Sequence, residues 1–358
     1  MLPPARPSTA PTHPDSAVRG TDSDALLSRH SAASLGYLDD PFSALFLSPA
    51  QRRTPERRPP LINIGTHART WAVDELVEQF LLQREVGDSN NGRGRATQVL
   101  SLGAGTDTRF WRLQKKWETA GREWTCRKWV EVDFPEASGS KARAVSGKAE
   151  LKSRLGGDVR IEQGGLGLSS PLYALLPGDL RKLDAISTSL LSPPASSTSS
   201  ASTDPILLPS VQTLLLLECV LVYLPPSDTD VILRWFASTF VAGSAIVSYD
   251  PFGLDDSFGK VMRRNLALRS LSLPGADSTP TLTSLTSRLK YNGFAGSTGS
   301  MSVREIRDEV LPVEDKERVS NLENLDEIEE LNLVLEHYAV TWGNVGQGER
   351  GIGLKQRR

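Results

Sequence analysis

The sequence predicts an α/β fold, a mostly parallel sheet covered on both faces by helices. Three observations carry that expectation. Short apolar runs alternate with amphipathic helical stretches from Val99 onward. One run passes through two glycines straight into a helix in "VLSLGAGTDTRFWRL", Val99 to Leu113. Carboxylates close successive runs, where an open sheet of this kind presents its ligand-binding edge.

The elements follow in order. "MLPPARPSTAPTHPDSAVRG" is rich in Pro, Ser and Thr and has no apolar core of a signal peptide, so residues 1–23 are expected to be a disordered tail. "DALLSRHSAASLGYLDDPFSALFL" predicts a helix, a turn at Asp40 and Pro41, and a second short helix. "SPAQRRTPERRPP" reads as a proline-punctuated basic connection. The spacing of Trp71, Leu76, Val77 and Phe80 to Leu82 predicts a further helix, ended by the turn formers of "VGDSNNGRGRAT". Residues 24–95 are thereby expected to form an N-terminal helical lid.

A strand at Val99 to Leu102 leads to a helix from about Thr108 to Glu118. A strand at Lys128 to Asp133 follows, and Pro135 opens another helix at its favoured first position. A strand is predicted at Pro171 to Leu176. "SPPASSTSSASTDP", residues 192–205, buries too little apolar surface to order itself and is expected to be a disordered insertion. "VQTLLLLECVLVYL" resumes the strands, "PSDTDVILRWFASTF" is an amphipathic helix and "SAIVSYDP" a buried strand. "SFGKVMRRNLALRS" predicts a helix with a basic face, "TLTSLTSRLKYNGF" one that stops at Gly293, and "LDEIEELNLVLEHYAVTWG" one that runs into a last strand, Tyr338 to Trp342. Residues 346–358 are expected to be a flexible basic tail, and residues 24–345 a single domain.

Composition narrows the function classes. Hydrophobic residues at 39% belong to an ordinary globular chain, and the longest apolar runs are far too short to span a bilayer. Cys126 and Cys219 are no disulfide framework, and the four histidines, His13, His30, His67 and His337, lack metal-ligand spacing. No metal site is expected. A formal charge of −2 gives no electrostatic case for a nucleic-acid partner. A cytoplasmic location is expected, with the nucleus as a second compartment, and the chain is expected to act as a monomer.

The glycine turn decides the ligand. Gly103 and Gly105 allow backbone to touch a small molecule. A dinucleotide fingerprint would continue to a third glycine, but position 108 is Thr108, and a phosphate loop would need Gly-Lys-Ser/Thr where Asp107 puts a negative charge. Asp133 closes its strand with a carboxylate able to accept both hydroxyls of a ribose. Asp179 and Leu180 pair a side-chain acceptor with a backbone donor, as an adenine edge requires. Glu218 is an isolated charge in "LLLLECVLVYL" and needs a cation, a role that a methionine ammonium fills. Taken singly, these residues also read as a tight turn, helix caps and the partner of a nearby arginine. Their order on successive strand ends favours S-adenosylmethionine.

The stretches "LGAGTDTRFWRL", "VEVDFP", "GDLRKLD", "LLLLECVLVYLPP", "FGKVMRRNL" and "RVSNLENLDEIEELNLVLEHYAVTWG" resemble the leucine carboxyl methyltransferase family, from about Leu26 to Gly343. The resemblance implies a class I S-adenosylmethionine-dependent methyltransferase, Rossmann-like, with a mostly parallel seven-stranded sheet, an N-terminal helical lid and C-terminal helical additions. It implies methylation of the C-terminal leucine carboxylate of the protein phosphatase 2A catalytic subunit, whose tail would be the partner. In that reading Gly103 and Gly105 line the methionine part, Asp133 takes the ribose, Asp179 and Leu180 the adenine, and Glu218 the amino group. Arg69 in "INIGTHART" and Arg29, where the family has a lysine, would serve the cofactor or the substrate carboxylate, and Tyr223 would stand near the transferred methyl. Ile64, Thr66 and His67 depart from the family pattern, and Arg29 replaces a point donor by a fork. Relatives that act on a modified tRNA base carry a C-terminal propeller of Gly-rich repeats that this chain lacks; a small carboxylic acid remains the alternative acceptor.

Overall fold

The computed structural model describes residues 15–83, 97–193, 204–346 and 351–355. Four helices come first: Ser16–Ser34 (α1), Ser43–Phe46 (α2), Pro49–Arg53 (α3) and Pro60–Leu81 (α4). The alternation then runs Thr97–Leu102 (β1), Arg109–Thr119 (α5), Cys126–Asp133 (β2), Pro135–Ser146 (α6), Ala149–Lys152 (α7), Arg160–Glu162 (β3), Gly167–Ser169 (β4), Tyr173–Pro177 (β5) and Leu183–Leu191 (α8). It continues through Thr213–Glu218 (β6), Pro226–Thr239 (α9), Ala245–Pro251 (β7), Ser257–Leu268 (α10), Leu282–Tyr291 (α11) and Thr298–Ser302 (β8). Val303–Glu305 (α12), Val313–Ser320 (α13), Ile328–Glu336 (α14) and Tyr338–Asn344 (β9) complete it.

The strands form one sheet in the order β3-β4-β5-β2-β1-β6-β7-β9-β8. The five central strands, β5 to β7, are parallel, and β9 inserts antiparallel between β7 and β8. β1 and β7 are buried along their whole length, as strands covered on both faces must be. Their side chains alternate between two cores: Val99 packs with α4 and α5 on one face, Leu100 and Leu102 with α8 and α9 on the other. From β1 the chain builds outward through β2 to β5, then returns to place β6 on the opposite side. The order therefore reverses between β1 and β6, and a ligand crevice opens beyond the carboxyl ends of those two strands.

Local chemistry sets the helix starts. Pro135 and Pro226 occupy first-turn positions of α6 and α9, Asp256 caps α10 by accepting from the Gly259 amide at 2.7 Å, and Thr281 closes a capping box on α11.

Several expectations are corrected. The sheet has nine strands, not seven, because β3 and β4 add a short antiparallel hairpin at the β5 edge, and their three-residue length leaves no legible periodicity. Residues 16–23, expected to belong to a disordered tail, are helical, since α1 begins at Ser16 and is tied down by ion pairs; residues 1–14 lie outside the described residues. The 24–95 stretch is not a single lid: α4 buries Ala68, Val73, Leu76 and Phe80 in the main core and is a layer of the fold. The strand read through Leu224 stops at Glu218, because Cys219 turns the chain at φ 54 and Leu221–Tyr223 forms a 3-10 turn. The 346–358 stretch is not wholly a flexible tail, as Ile352 and Leu354 pack into the main core and the Gly353 amide donates to Gln79 at 2.9 Å. α3, which forms inside the expected basic connection, and α7, β8, α12 and α13 have no counterpart among the elements expected from the sequence. The central part of the 192–205 insertion lies outside the described residues. No helix among the described residues is long and apolar enough to cross a membrane.

Candidate active site

A cavity of about 670 Å³ lies at the crevice between the ends of β1 and β6. All nine residues singled out from the sequence line it: Arg29, Arg69, Gly103, Gly105, Asp133, Asp179, Leu180, Glu218 and Tyr223. They come from six separate elements or the loops that follow them, so only the folded chain brings them together.

The turn after β1 is the tightest part. Gly103 and Gly105 have φ of 65° and 46°, and a Cβ at Gly103 would stand 2.6 Å from Val220. The Gly105 amide donates to Asp133 Oδ2 at 2.6 Å, and the Phe134 amide donates to Asp133 Oδ1 at 2.6 Å. Burial pushes the Asp133 carboxyl up to about 6 against the opposing pull of those two amides, and the nearby Asp22 adds to the rise.

Glu218 has its cation, and it is a double one. Arg69 Nε donates to Glu218 Oε2 at 2.7 Å, and Arg109 Nη1 donates to Glu218 Oε1 at 2.5 Å. Burial alone would raise the Glu218 carboxyl, but Arg109 and Arg69 overcome it and hold the group ionised. Of the two readings of Glu218, the arginine partner is the one the fold supplies. Arg69 uses only Nε on this contact, and its guanidinium carbon lies 4.5 Å from the centre of the Tyr249 ring. Its two terminal nitrogens have no protein acceptor among the described residues.

Arg109, which the sequence reading passed over, is the hub. Its side chain is 2% exposed and also binds Asp74 at 2.6 Å and Asp107 at 2.5 Å. Arg112 joins Asp74 at 2.6 Å, and Lys141 supports the turn from behind through the Asp107 carbonyl at 2.8 Å. The signal in the sequence is the alternation of acid and base in "TDTRFWR", where Asp107 both argues against phosphate and needs a basic partner. Arg29 donates to the Thr106 carbonyl at 2.9 Å and lies 3.8 Å from Asp107, so it braces the glycine turn.

Asp179 pairs with Arg181 through two contacts of 2.9 and 2.8 Å, and Arg181 reaches on to Asp15, the residue before α1, at 2.7 Å. Arg19 of α1 lies over the Phe134 ring and pairs with Glu136 at 2.8 Å. Helix α1 thus crosses the strand-end loops as a strap, a contact set hidden while its first residues read as tail. Tyr223 sits half-buried in the wall, its hydroxyl kept protonated by burial. Tyr249 and Tyr338 stack at 5.3 Å beside Arg69, and Leu61, Val334 and Leu335 continue that wall. Among the described residues no histidine lines the cavity; His67 and His337 are engaged with Asp315 and Asp256. Among the described residues, no three His, Cys, Asp or Glu side chains are grouped to hold a metal ion.

The central order β5-β2-β1-β6-β7-β9-β8, with β9 reversed and a glycine turn after β1, defines a class I methyltransferase, the fold class built around S-adenosylmethionine. The residues present fit that cofactor: a turn with no room for a Cβ, a buried acceptor at the end of β2, an acceptor beside a backbone amide after β5, and an arginine with free donors. The family model of leucine carboxyl methyltransferase matches residues 17–237. Leucine carboxyl methyltransferase 1 of Cryptococcus neoformans is 42% identical over 99% of this chain and 100% of its own length. Its counterpart in Bos taurus is 31% identical, covering 96% of this chain and 93% of that protein. A solved putative methyltransferase from Thermobifida fusca overlays with a TM-score of 0.47 at 15% identity, covering 85% of this chain and 92% of that one. This chain belongs to the leucine carboxyl methyltransferase family.

Proposed function

We propose that the protein methylates the C-terminal leucine carboxylate of the protein phosphatase 2A catalytic subunit, forming a methyl ester that regulates phosphatase assembly. The observation that carries this reading is the Arg69 corner. A guanidinium with unused donors stands beside the stacked Tyr249–Tyr338 pair and an aliphatic wall, which suits a carboxylate attached to a branched apolar side chain.

When bound, S-adenosylmethionine supplies a methyl group activated by a sulfonium. Gly103 and Gly105 would admit its methionine part, Asp133 would accept from the ribose, and Asp179 and Leu180 would face the adenine. A peptide's terminal carboxyl has a pKa of about 3.3 to 3.7, so the acceptor oxygen arrives ionised and no general base is needed. Among the described residues no histidine stands in the cavity to act as one. The protein's task is then alignment and exclusion of water. Arg69 orients the carboxylate while Glu218 limits how strongly it attracts, which matters because over-stabilising the nucleophile would slow its attack. Helix α1 closes the top of the cavity.

The test offers a peptide ending in leucine, the same peptide amidated, and the phosphatase catalytic subunit, each with labelled cofactor. One methyl added to the free-carboxyl peptide and to the subunit's last residue, and none to the amide, is the expected result by mass spectrometry. Asp133→Ala and Arg69→Ala should both lose it. Methyl transfer to the amidated peptide, or to small acids in preference to both proteins, would refute the assignment.

A further inference from the structure

Resting on the cofactor reading above, we propose that Asp22 is an internal competitor for the carboxylate end of S-adenosylmethionine. Its own carboxylate is carried by α1 into the donors of the glycine turn and must leave before the amino-acid part of the ligand can settle there.

The geometry is specific. Asp22 Oδ1 accepts from the Thr106 amide at 2.7 Å and from the Thr106 hydroxyl at 2.8 Å. It lies so close to the turn that a Cβ on Gly105 would overlap it. Thr106 follows the two glycines expected to meet the methionine part and precedes α5, a place where amides point outward and attract anions. Asp22 therefore occupies the kind of position in which a ligand carboxylate would be held.

The seat is also poorly neutralised. The adjacent amide, Gly105, is already bonded to Asp133 at 2.6 Å, so two carboxylates sit on consecutive amides. Among the described residues no arginine or lysine forms an ion pair with Asp22, whereas Asp107, Glu218 and Asp179 nearby each have one. A carboxylate held by neutral donors beside another negative charge is cheaper to displace than one held by arginine.

Its neighbours on the strap are anchored independently of it. Asp15 is held by Arg181, Arg19 by Glu136 and Phe134, and Asp24 by Arg58 and Arg269. The helix can stay latched while Asp22 changes rotamer into solvent. The effect is a threshold: ligands that present a carboxylate to the turn must outcompete Asp22, and ligands that lack one do not meet it.

The experiment uses the full chain and calorimetry with two probes. S-adenosylhomocysteine carries the amino-acid end, and 5′-methylthioadenosine carries the same adenosine without it. In Asp22→Ala, S-adenosylhomocysteine should bind on the order of tenfold more tightly, the change expected when one charge-assisted competitor is removed, while methylthioadenosine changes less than about twofold. Asp22→Asn keeps the shape but loses the charge; it should show the same preference at smaller size, and it carries the test if the alanine variant is unstable. Unchanged or weaker binding of S-adenosylhomocysteine would overturn the proposal, the second outcome making Asp22 a ligand contact. Equal gains for both probes would overturn it as well, since they would reflect a loosened strap. Failure of the unmodified protein to bind either probe would remove the cofactor reading itself, and this inference with it.

Discussion

Arg109 and Asp133 concentrate the site's electrostatics, and each supports a separate prediction. Among the described residues Arg109 is the sole group that touches Asp74, Asp107 and Glu218 together. Its removal leaves three carboxylates short of a cation in a dry environment, so Arg109→Ala should cost about 3–5 kcal/mol of stability, read by urea unfolding. A loss under about 1 kcal/mol would show that solvent reaches the cluster. Asp133 has its folded pKa near 6, above the ordinary carboxylate value, chiefly through burial. The folded protein then binds a proton there that the unfolded chain releases, so the stability this residue contributes is full below the ordinary value of 3.8 and is lost as pH rises from there through about 6. The difference in unfolding free energy between the native chain and Asp133→Asn should shift by up to about 3 kcal/mol across that window. Cofactor affinity should move the opposite way, tightening as pH rises past 6, because a ribose hydroxyl donates to the ionised form. A flat pH profile for S-adenosylhomocysteine binding would contradict the assignment of Asp133 to the ribose.

At the scale of elements, α1 and α4 do different work. α4 is apolar on the face that meets the sheet and buries Ala72, Val73 and Leu76 completely. α1 has a weakly amphipathic sequence, and Leu26, Arg29, Ser31 and Ala32 are its only buried residues. Its first half is held by salt links at solvent-facing loops, each worth little. A chain lacking residues 1–23 should therefore fold, with its urea midpoint changed only slightly, yet lose methyl transfer by about 100-fold at saturating cofactor because the cavity is left open to water. Cutting further, to residue 50, is a poorer test of a lid: Asp40 accepts from the Thr108 hydroxyl at 2.6 Å and Ser31 bonds Asn63 at 2.9 Å, so buried partners would be orphaned and the core itself would suffer. Retention of full single-turnover rates by the shorter deletion would exclude the strap from catalysis.

At the scale of the molecule, the chain's far end closes the structure. Residues 351–355 return to α4 and the β8–β9 edge, with Ile352 1% exposed in the same core as Val99 and Trp342. Ile352→Ala should cost about 2–4 kcal/mol by the usual sum of lost burial and cavity formation, measured by denaturant unfolding, and should leave cofactor binding intact because the segment lies away from the glycine turn. A neutral substitution would show that this arm is dispensable.

The strand-to-helix alternation, the turn at Gly103 and Gly105 and the acids at 133, 179 and 218 were legible because strand ends in a parallel sheet are marked by local chemistry: a buried run, then glycine or a carboxylate. The resemblance of contiguous stretches carried the family for the same reason. What could not be read was everything that depends on distant residues meeting. Arg109 is a surface-type residue until the sheet places three acids around it; α1 is a polar segment until the loops it crosses supply partners; and the β3–β4 hairpin and the 351–355 arm are too short to show a period. Local pattern determines which residues end strands, because that is a property of neighbours in the chain. Which charges are neutralised, and by whom, is decided only when folding removes water from between them.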